Sequence, residues 1–97
     1  MILNGYWHDT GHAHLTEKLT FVPPGYLLEK YANRLAGIHF HDAVGRQDHL
    51  PPGTGEIDFT ALKPHLKPTI PLVLELKPAT PNPDIKKGLD FMKNFLI

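Results

Sequence analysis

The sequence predicts an α/β fold in which three strands alternate with helices and lie parallel to one another. Short apolar runs occupy residues 2–8, 37–41 and 71–76, and each is followed by a segment with helical spacing. Glycines and prolines fall mainly between the runs and separate one element from the next. Repeated strand–helix order is typical of parallel sheets covered by crossover helices.

The first unit begins with the strand at residues 2–8. Asp9-Thr10-Gly11 breaks it, and residues 12–19 then form a short helix with Thr10 as its predicted cap. Residues 21–25 are a loop. The next helix covers 26–35, where an aromatic and leucine stripe predicts core packing. The stripe consists of Tyr26, Leu27, Tyr31 and Leu35.

The second strand, residues 37–41, places Ile38 and Phe40 on one face. The same alternation turns His39 and His41 to the other face. A polar loop, 44–56, leads to a helix capped by Asp58 and running to residue 66, which Pro64 ends or kinks. The third strand at 71–76 precedes an amphipathic helix over 83–95, capped by Asn82. Ile85, Leu89, Phe91 and Phe95 are the residues expected to be buried there.

Chain length indicates part of a larger architecture. A (β/α)8 barrel needs roughly 250 residues, or about 31 per unit, so 97 residues correspond to three units. Three parallel strands leave two open edges and one uncovered face. We therefore expect a single partial-barrel domain over 1–97, completed or covered by a second copy of the chain or by a complementing upstream chain.

Composition narrows the class of protein. Ten basic and ten acidic side chains give zero formal net charge, which disfavours nucleic acid as a partner. The first residues lack the pattern of a signal peptide, and no apolar run reaches membrane-spanning length. The chain has no cysteine, so disulfides and thiolate ligands are excluded and a reducing compartment is favoured. These features predict a cytoplasmic protein without a membrane partner.

Polar side chains follow the carboxyl ends of all three predicted strands. Asp9 and His12 follow the first, His39 and His41 close the second, and Glu75 lies in the third. Active sites form at this edge of parallel sheets and barrels. Carboxylates and imidazoles without thiolates suit one divalent ion, Mn²⁺, Mg²⁺, Co²⁺ or Zn²⁺.

Simpler interpretations exist for most of these residues. Asp9 could only cap the following helix, and His39 or His41 could be an ordinary core or surface histidine. His12 and the loop residue His49 could be solvated. Glu75 is harder to explain in this way, because an isolated carboxylate inside an apolar strand is costly to bury.

Four segments, taken in order, resemble strands six, seven and eight of the xylose-isomerase-like barrel superfamily. They are the runs 5–12 (GYWHDTGH), 37–42 (GIHFHD), 48–55 (DHLPPGTG) and 74–76 (LEL). This superfamily holds sugar isomerases and epimerases together with the endonuclease IV type of abasic-site nuclease. The resemblance implies Asp9, His39 and Glu75 as metal ligands, Glu75 also as a catalytic acid/base, and His12 and His49 as substrate-binding residues.

Two departures from the family pattern qualify the expected activity. The strand-five glutamate, which would be a further ligand and the second acid/base, has no counterpart here. Gln47 stands where the nucleases carry an aspartate, with Asp48 next to His49 instead.

We therefore expect a truncated sugar or sugar phosphate isomerase/epimerase-like protein with most of a divalent-metal site, inactive alone. The alternative is a non-catalytic metal-binding or structural remnant. A nuclease is disfavoured.

Overall fold

The computed structural model describes residues 5–95 and contains a three-stranded parallel sheet. Its strands are β1 (Tyr6–Asp9), β2 (Leu35–Phe40) and β5 (Leu72–Leu74), in the order β1–β2–β5. The predicted α/β class and the parallel arrangement of the three strands are confirmed. The start of the first predicted strand, residues 2–4, lies outside the described residues.

Helices follow the strands, with boundaries that differ from the predicted ones. They are α1 (Thr10–Thr20), α2 (Tyr26–Tyr31) and α3 (Asn82–Phe95), together with 3₁₀ turns at Ala32–Arg34 and Phe59–His65. The predicted helix over 26–35 therefore stops early, and Leu35 begins β2 instead. Asp58 does cap the segment that follows it, through the backbone N–H of Thr60, but that segment is 3₁₀ and not α-helical. Within residues 5–95 no helix has both the length and the apolar character needed to cross a membrane.

The prediction that Thr10 caps α1 is wrong. Asp9 is the cap, because its Oδ1 accepts a 2.8 Å hydrogen bond from the backbone N–H of His12. The Thr10 hydroxyl instead reaches across to the end of β2. It donates to the carbonyl of His41 at 2.6 Å and accepts from the His41 N–H at 2.9 Å. Thr10 thus links the start of α1 to the residue after β2.

A short hairpin occupies part of the predicted loop over 44–56. Strands β3 (Asp42–Val44) and β4 (Gln47–Leu50) pair antiparallel in a sheet of their own. Gly45 begins the two-residue turn between them with φ +59°, a backbone conformation that glycine adopts without steric cost. A glycine followed by one residue between two short runs is a hairpin signal, and the polar composition of the segment concealed it.

The core lies between the sheet and its helices. Ile38 and Phe40 are fully buried on one face of β2, as the alternation predicts, and the Phe40 ring stacks on Phe59 with centroids 4.6 Å apart. The predicted stripe on α2 is partly wrong, because Leu28 is the buried residue there and Tyr26 is exposed. The remaining buried members of the core are Leu62 and Met92. The predicted burial of Leu89 on α3 is wrong, because its side chain is 42% exposed.

The opposite face of the sheet is open to solvent. Trp7 and Val73 are 45% and 42% exposed, and they lie on the same face as Asp9 and His39 by strand alternation. The outer strands β1 and β5 each pair with β2 on one side only within the described residues. The exposed face and the two outer strands agree with the expected partial barrel.

His8 points to the helix-covered side of β1 and makes stability dependent on pH. It is 5% exposed, and its ring Nδ1 lies 2.8 Å from the hydroxyl of Tyr6. Burial lowers the pKa of His8 below its ordinary value of 6.5, so the unfolded chain binds a proton that the folded chain does not. This contribution to stability is complete above pH 6.5 and is lost as the pH falls through the lowered pKa.

We expect the free energy of unfolding in urea to decrease from pH 7 to pH 5 in the wild-type chain. The His8→Gln variant should show a shallower slope over the same range, because glutamine does not titrate. Equal slopes for the two chains would assign the acid sensitivity to other groups. His65→Gln, at a partly exposed histidine whose distance to the Glu29 carboxylate is 3.9 Å, is the matched control.

Candidate metal centre

Three predicted ligands lie at one edge of the parallel sheet. Asp9 ends β1 and pairs in register with His39 of β2, while Glu75 follows β5 and its backbone N–H donates to the Phe40 carbonyl. The His39 Nδ1 lies 3.4 Å from Glu75 Oε2 and 4.0 Å from Asp9 Oδ2. One ligand atom from each residue lies within 4.8 Å of the other two. The strands thus bring together the side chains that the sequence indicated.

Their spacing and chemistry fit a divalent ion. Oxygen and nitrogen ligands about 2.1 Å from a common ion lie roughly 3–4 Å from one another, which small side-chain rotations would achieve here. Without a cation, the carboxylates of Asp9 and Glu75 would repel each other. A divalent ion between them would remove that repulsion. The group is half-buried, so one side remains accessible to substrate.

Asp9 is both a helix cap and a candidate ligand. Its Oδ1 accepts from the His12 N–H and lies 2.6 Å from His41 Nε2. Partial burial alone would raise the pKa of Asp9, but these two hydrogen bonds outweigh it and lower the pKa to about 2. The carboxylate is therefore ionised at neutral pH, and its Oδ2 lies between His12 Nδ1 at 3.5 Å and His39 Nδ1 at 4.0 Å. The two interpretations of Asp9 are compatible, because each uses a different oxygen.

His12, Asp48 and His49 lie beside the three candidate ligands. Asp48 Oδ1 is 2.9 Å from His49 Nδ1, and its Oδ2 is 3.4 Å from His12 Nε2. The hydrogen bond with His49 is the main cause that lowers the pKa of Asp48. Although Gln47 breaks the aspartate spacing of the nucleases, a carboxylate still lies between these two imidazoles. His12 is the more exposed of the two histidines, at 63% of its side chain.

His49 is held in a strained backbone conformation. Its φ is +58°, which costs a non-glycine residue about 1–2 kcal/mol. Two hydrogen bonds to the backbone of His49 hold this conformation. The His49 N–H donates to His41 Nδ1, and the His49 carbonyl accepts from the Lys77 N–H. As a result His49 Nε2 lies 3.7 Å from Glu75 Oε1. Strain of this kind is typical of functional sites.

His41 and Asp42 are the residues whose roles the sequence did not reveal. Both side chains are fully buried. His41 contacts Asp9, and the Asp42 carboxylate accepts from four backbone N–H groups. Strand alternation did place His41 on the side of His39. No residue pattern in the sequence predicts these contacts, because the partner of His41 is distant in the chain and the partners of Asp42 are backbone groups.

Carboxylates and imidazoles gathered at the carboxyl edge of a parallel sheet define the class of α/β proteins whose sites lie at the strand ends. Comparison with known protein families shows which family of this class the chain belongs to. The chain belongs to the xylose isomerase-like TIM barrel family, whose model matches residues 5–95. The predicted superfamily is therefore confirmed.

One curated relative is similar to part of the chain. An uncharacterised protein of Sinorhizobium fredii, y4fM, is 39% identical over 61 residues, which cover 60% of this chain and 18% of that protein. The match thus spans less than a fifth of the relative's length. No solved structure shows a significant match to the chain.

Proposed function

We propose that this chain carries the metal-binding end of a sugar or sugar phosphate isomerase/epimerase. Asp9, His39 and Glu75 would hold one divalent ion, Mn²⁺, Mg²⁺, Co²⁺ or Zn²⁺. The observation that carries the proposal is the convergence of these three ligand atoms within 4.8 Å of one another at the strand ends. The chain's membership of the xylose isomerase-like TIM barrel family supports the proposal.

The chemistry is proton transfer next to a sugar carbonyl. A bound divalent ion stabilises the negative charge that develops on the sugar oxygens when a carbon-bound proton is removed. Glu75 would take or return that proton as a general base or acid. His12 and His49 would bind substrate hydroxyls at the mouth of the site. Asp48, which contacts both, would keep their rings oriented.

We further propose that one chain alone is incomplete. Epimerisation needs a second acid/base on the opposite face of the sugar, and the family's strand-five glutamate has no counterpart in this chain. The open edges of β1 and β5, with exposed Trp7 and Val73, favour contact with further strands. The chain would form one partial-barrel domain, and a second copy of it or a complementing upstream chain would supply the further strands.

The test combines metal content with turnover. Native mass spectrometry of the full chain with Mn²⁺ should show about one ion per chain, removed by a chelator. Ketose epimerisation should be absent for the chain alone and should arise when the upstream five strands of a family member are added. An ion without turnover in either case favours the non-catalytic alternative. A chain that binds no ion would overturn the proposal.

A further inference from the structure

We propose that His41 is a positioning residue that orients the Asp9 carboxylate toward the metal centre. This inference rests on the proposed function, because it concerns one of the proposed ligands. It goes beyond the proposed function by giving a role to a residue that is neither one of the three proposed ligands nor a proposed substrate contact. Three contacts fix the protonation and the orientation of the His41 ring.

The first contact fixes the protonation of the ring. The His49 backbone N–H lies 2.8 Å from His41 Nδ1, and a backbone N–H can only donate. Nδ1 must therefore be an acceptor without a hydrogen. In the neutral ring the hydrogen is then on Nε2.

The second contact uses that hydrogen. Nε2 lies 2.6 Å from Asp9 Oδ1, so it donates a charge-assisted hydrogen bond to the carboxylate. The same oxygen also accepts from the His12 N–H. With Oδ1 held by two donors, the carboxylate plane is fixed. Oδ2 is left at the open edge of the sheet, 3.5 Å from His12 Nδ1 and 4.0 Å from His39 Nδ1.

The third contact prevents the ring from turning. His41 is fully buried, and its ring stacks on His49 with centroids 4.2 Å apart and planes 18° apart. On its other side lies Gly11, where any Cβ would overlap the ring. The Thr10 hydroxyl holds the backbone of His41 through both its N–H and its carbonyl. The ring is thus fixed with Nε2 directed at Asp9.

This arrangement also connects the hairpin to the metal centre. The His49 N–H belongs to β4 (Gln47–Leu50), and the His41 ring connects it to Asp9. A ligand carboxylate oriented by such an outer partner binds metal more tightly, and loss of the partner costs roughly 10- to 100-fold in affinity.

Two variants and a control test the role. Mn²⁺ affinity of the full chain is measured by electron paramagnetic resonance of the free ion. His41→Leu, which removes the donor, should weaken binding roughly 10- to 100-fold. His41→Gln, whose amide can donate to Asp9 from a similar position, should keep affinity within about fivefold of wild type. His14→Gln removes a histidine outside the site and should leave affinity unchanged.

A spectroscopic measurement makes the test independent of whether a variant folds. Long-range ¹H–¹⁵N correlation of the metal-free wild-type chain should show His41 with Nε2 protonated and Nδ1 bare. The opposite tautomer would overturn the inference, as would a folded His41→Leu chain that binds Mn²⁺ as tightly as wild type. Failure of the proposed function looks different, because wild type and variants would then all bind no Mn²⁺ while His41 kept its Nε2 hydrogen.

Discussion

Asp42→Ala is expected to lower the free energy of unfolding by about 2–4 kcal/mol. The Asp42 carboxylate is fully buried. Its Oδ1 accepts from the N–H groups of Ala43 and Ile57 at 2.8 and 3.0 Å. Its Oδ2 accepts from Gly53 and Gly55, each at 2.9 Å. A buried donor left without a partner costs about 1–3 kcal/mol. The bond from Ala43 is buried and the other three are part-buried, so water offsets part of their loss.

The expected loss is large relative to total stability, which is about 5–15 kcal/mol for domains in general. Alanine leaves all four backbone N–H groups without an acceptor. Asparagine keeps one acceptor oxygen, which can still accept from two of them. Asp42→Asn should therefore destabilise the chain less than alanine does. Its amide still faces two N–H groups that it cannot satisfy.

Urea unfolding followed by circular dichroism measures these differences. Asp90→Asn is the matched control, because Asp90 is exposed and its one ion-pair contact, with Lys86, is 3.4 Å long. Such a surface change should alter stability by less than about 0.5 kcal/mol. An Asp42→Ala chain within about 1 kcal/mol of wild type would show that the loop over 51–57 does not depend on this carboxylate.

The role of Asp42 illustrates what the sequence could not predict. Alternation in β2 correctly indicated which side chains enter the core, because Ile38 and Phe40 differ in polarity from their neighbours. Three of the four partners of Asp42 are backbone N–H groups 11 to 15 residues away, and these carry no residue-type pattern. The tight fit at Gly55, where a Cβ would overlap the Asp42 carboxylate, is likewise visible only in three dimensions.

The three candidate ligands were easier to find, for a physical reason. Parallel strands bring their carboxyl ends to one edge, so the polar residues there could be grouped once the strands were recognised. The resemblance to xylose-isomerase-like barrels then singled out Asp9, His39 and Glu75. The contact between His41 and Asp9 required more, since it depends on the φ of +58° at His49. No alternation of apolar and polar residues predicts a histidine with a left-handed backbone conformation. Sequence thus indicated the proposed ligands but not the residues that hold them in place.

Glu75→Gln is expected to weaken Mn²⁺ binding without lowering the stability of the metal-free chain. The comparison is made at pH 8, above the usual titration range of histidine. Loss of a ligand carboxylate should weaken Mn²⁺ binding more than the roughly 10- to 100-fold that an outer partner costs. In the metal-free chain the same change removes the repulsion between Glu75 and Asp9, whose ligand oxygens lie within 4.8 Å. Its free energy of unfolding should therefore stay equal or rise by up to about 1 kcal/mol.

Unfolding in urea with and without Mn²⁺ measures both effects together. At a free Mn²⁺ concentration 100 times the wild-type dissociation constant, binding should stabilise the wild-type chain by about 2.7 kcal/mol. A variant with 100-fold weaker affinity should gain only about 0.4 kcal/mol under the same conditions. Glu29→Gln, at a side chain 81% exposed, is the matched control and should gain as much as wild type.

The direction of change in the metal-free chain decides between a metal centre and an ordinary polar cluster. If Glu75 served only as a hydrogen-bonding partner of His39 and His49, glutamine would destabilise the chain with or without Mn²⁺, and the stabilisation by Mn²⁺ would be equal in both chains. If Glu75 is a ligand, the carboxylate is unfavourable until the ion arrives, because Asp9 lies across from it. Stability gained by the variant without Mn²⁺ and lost with it would then identify the carboxylate pair as built for a cation.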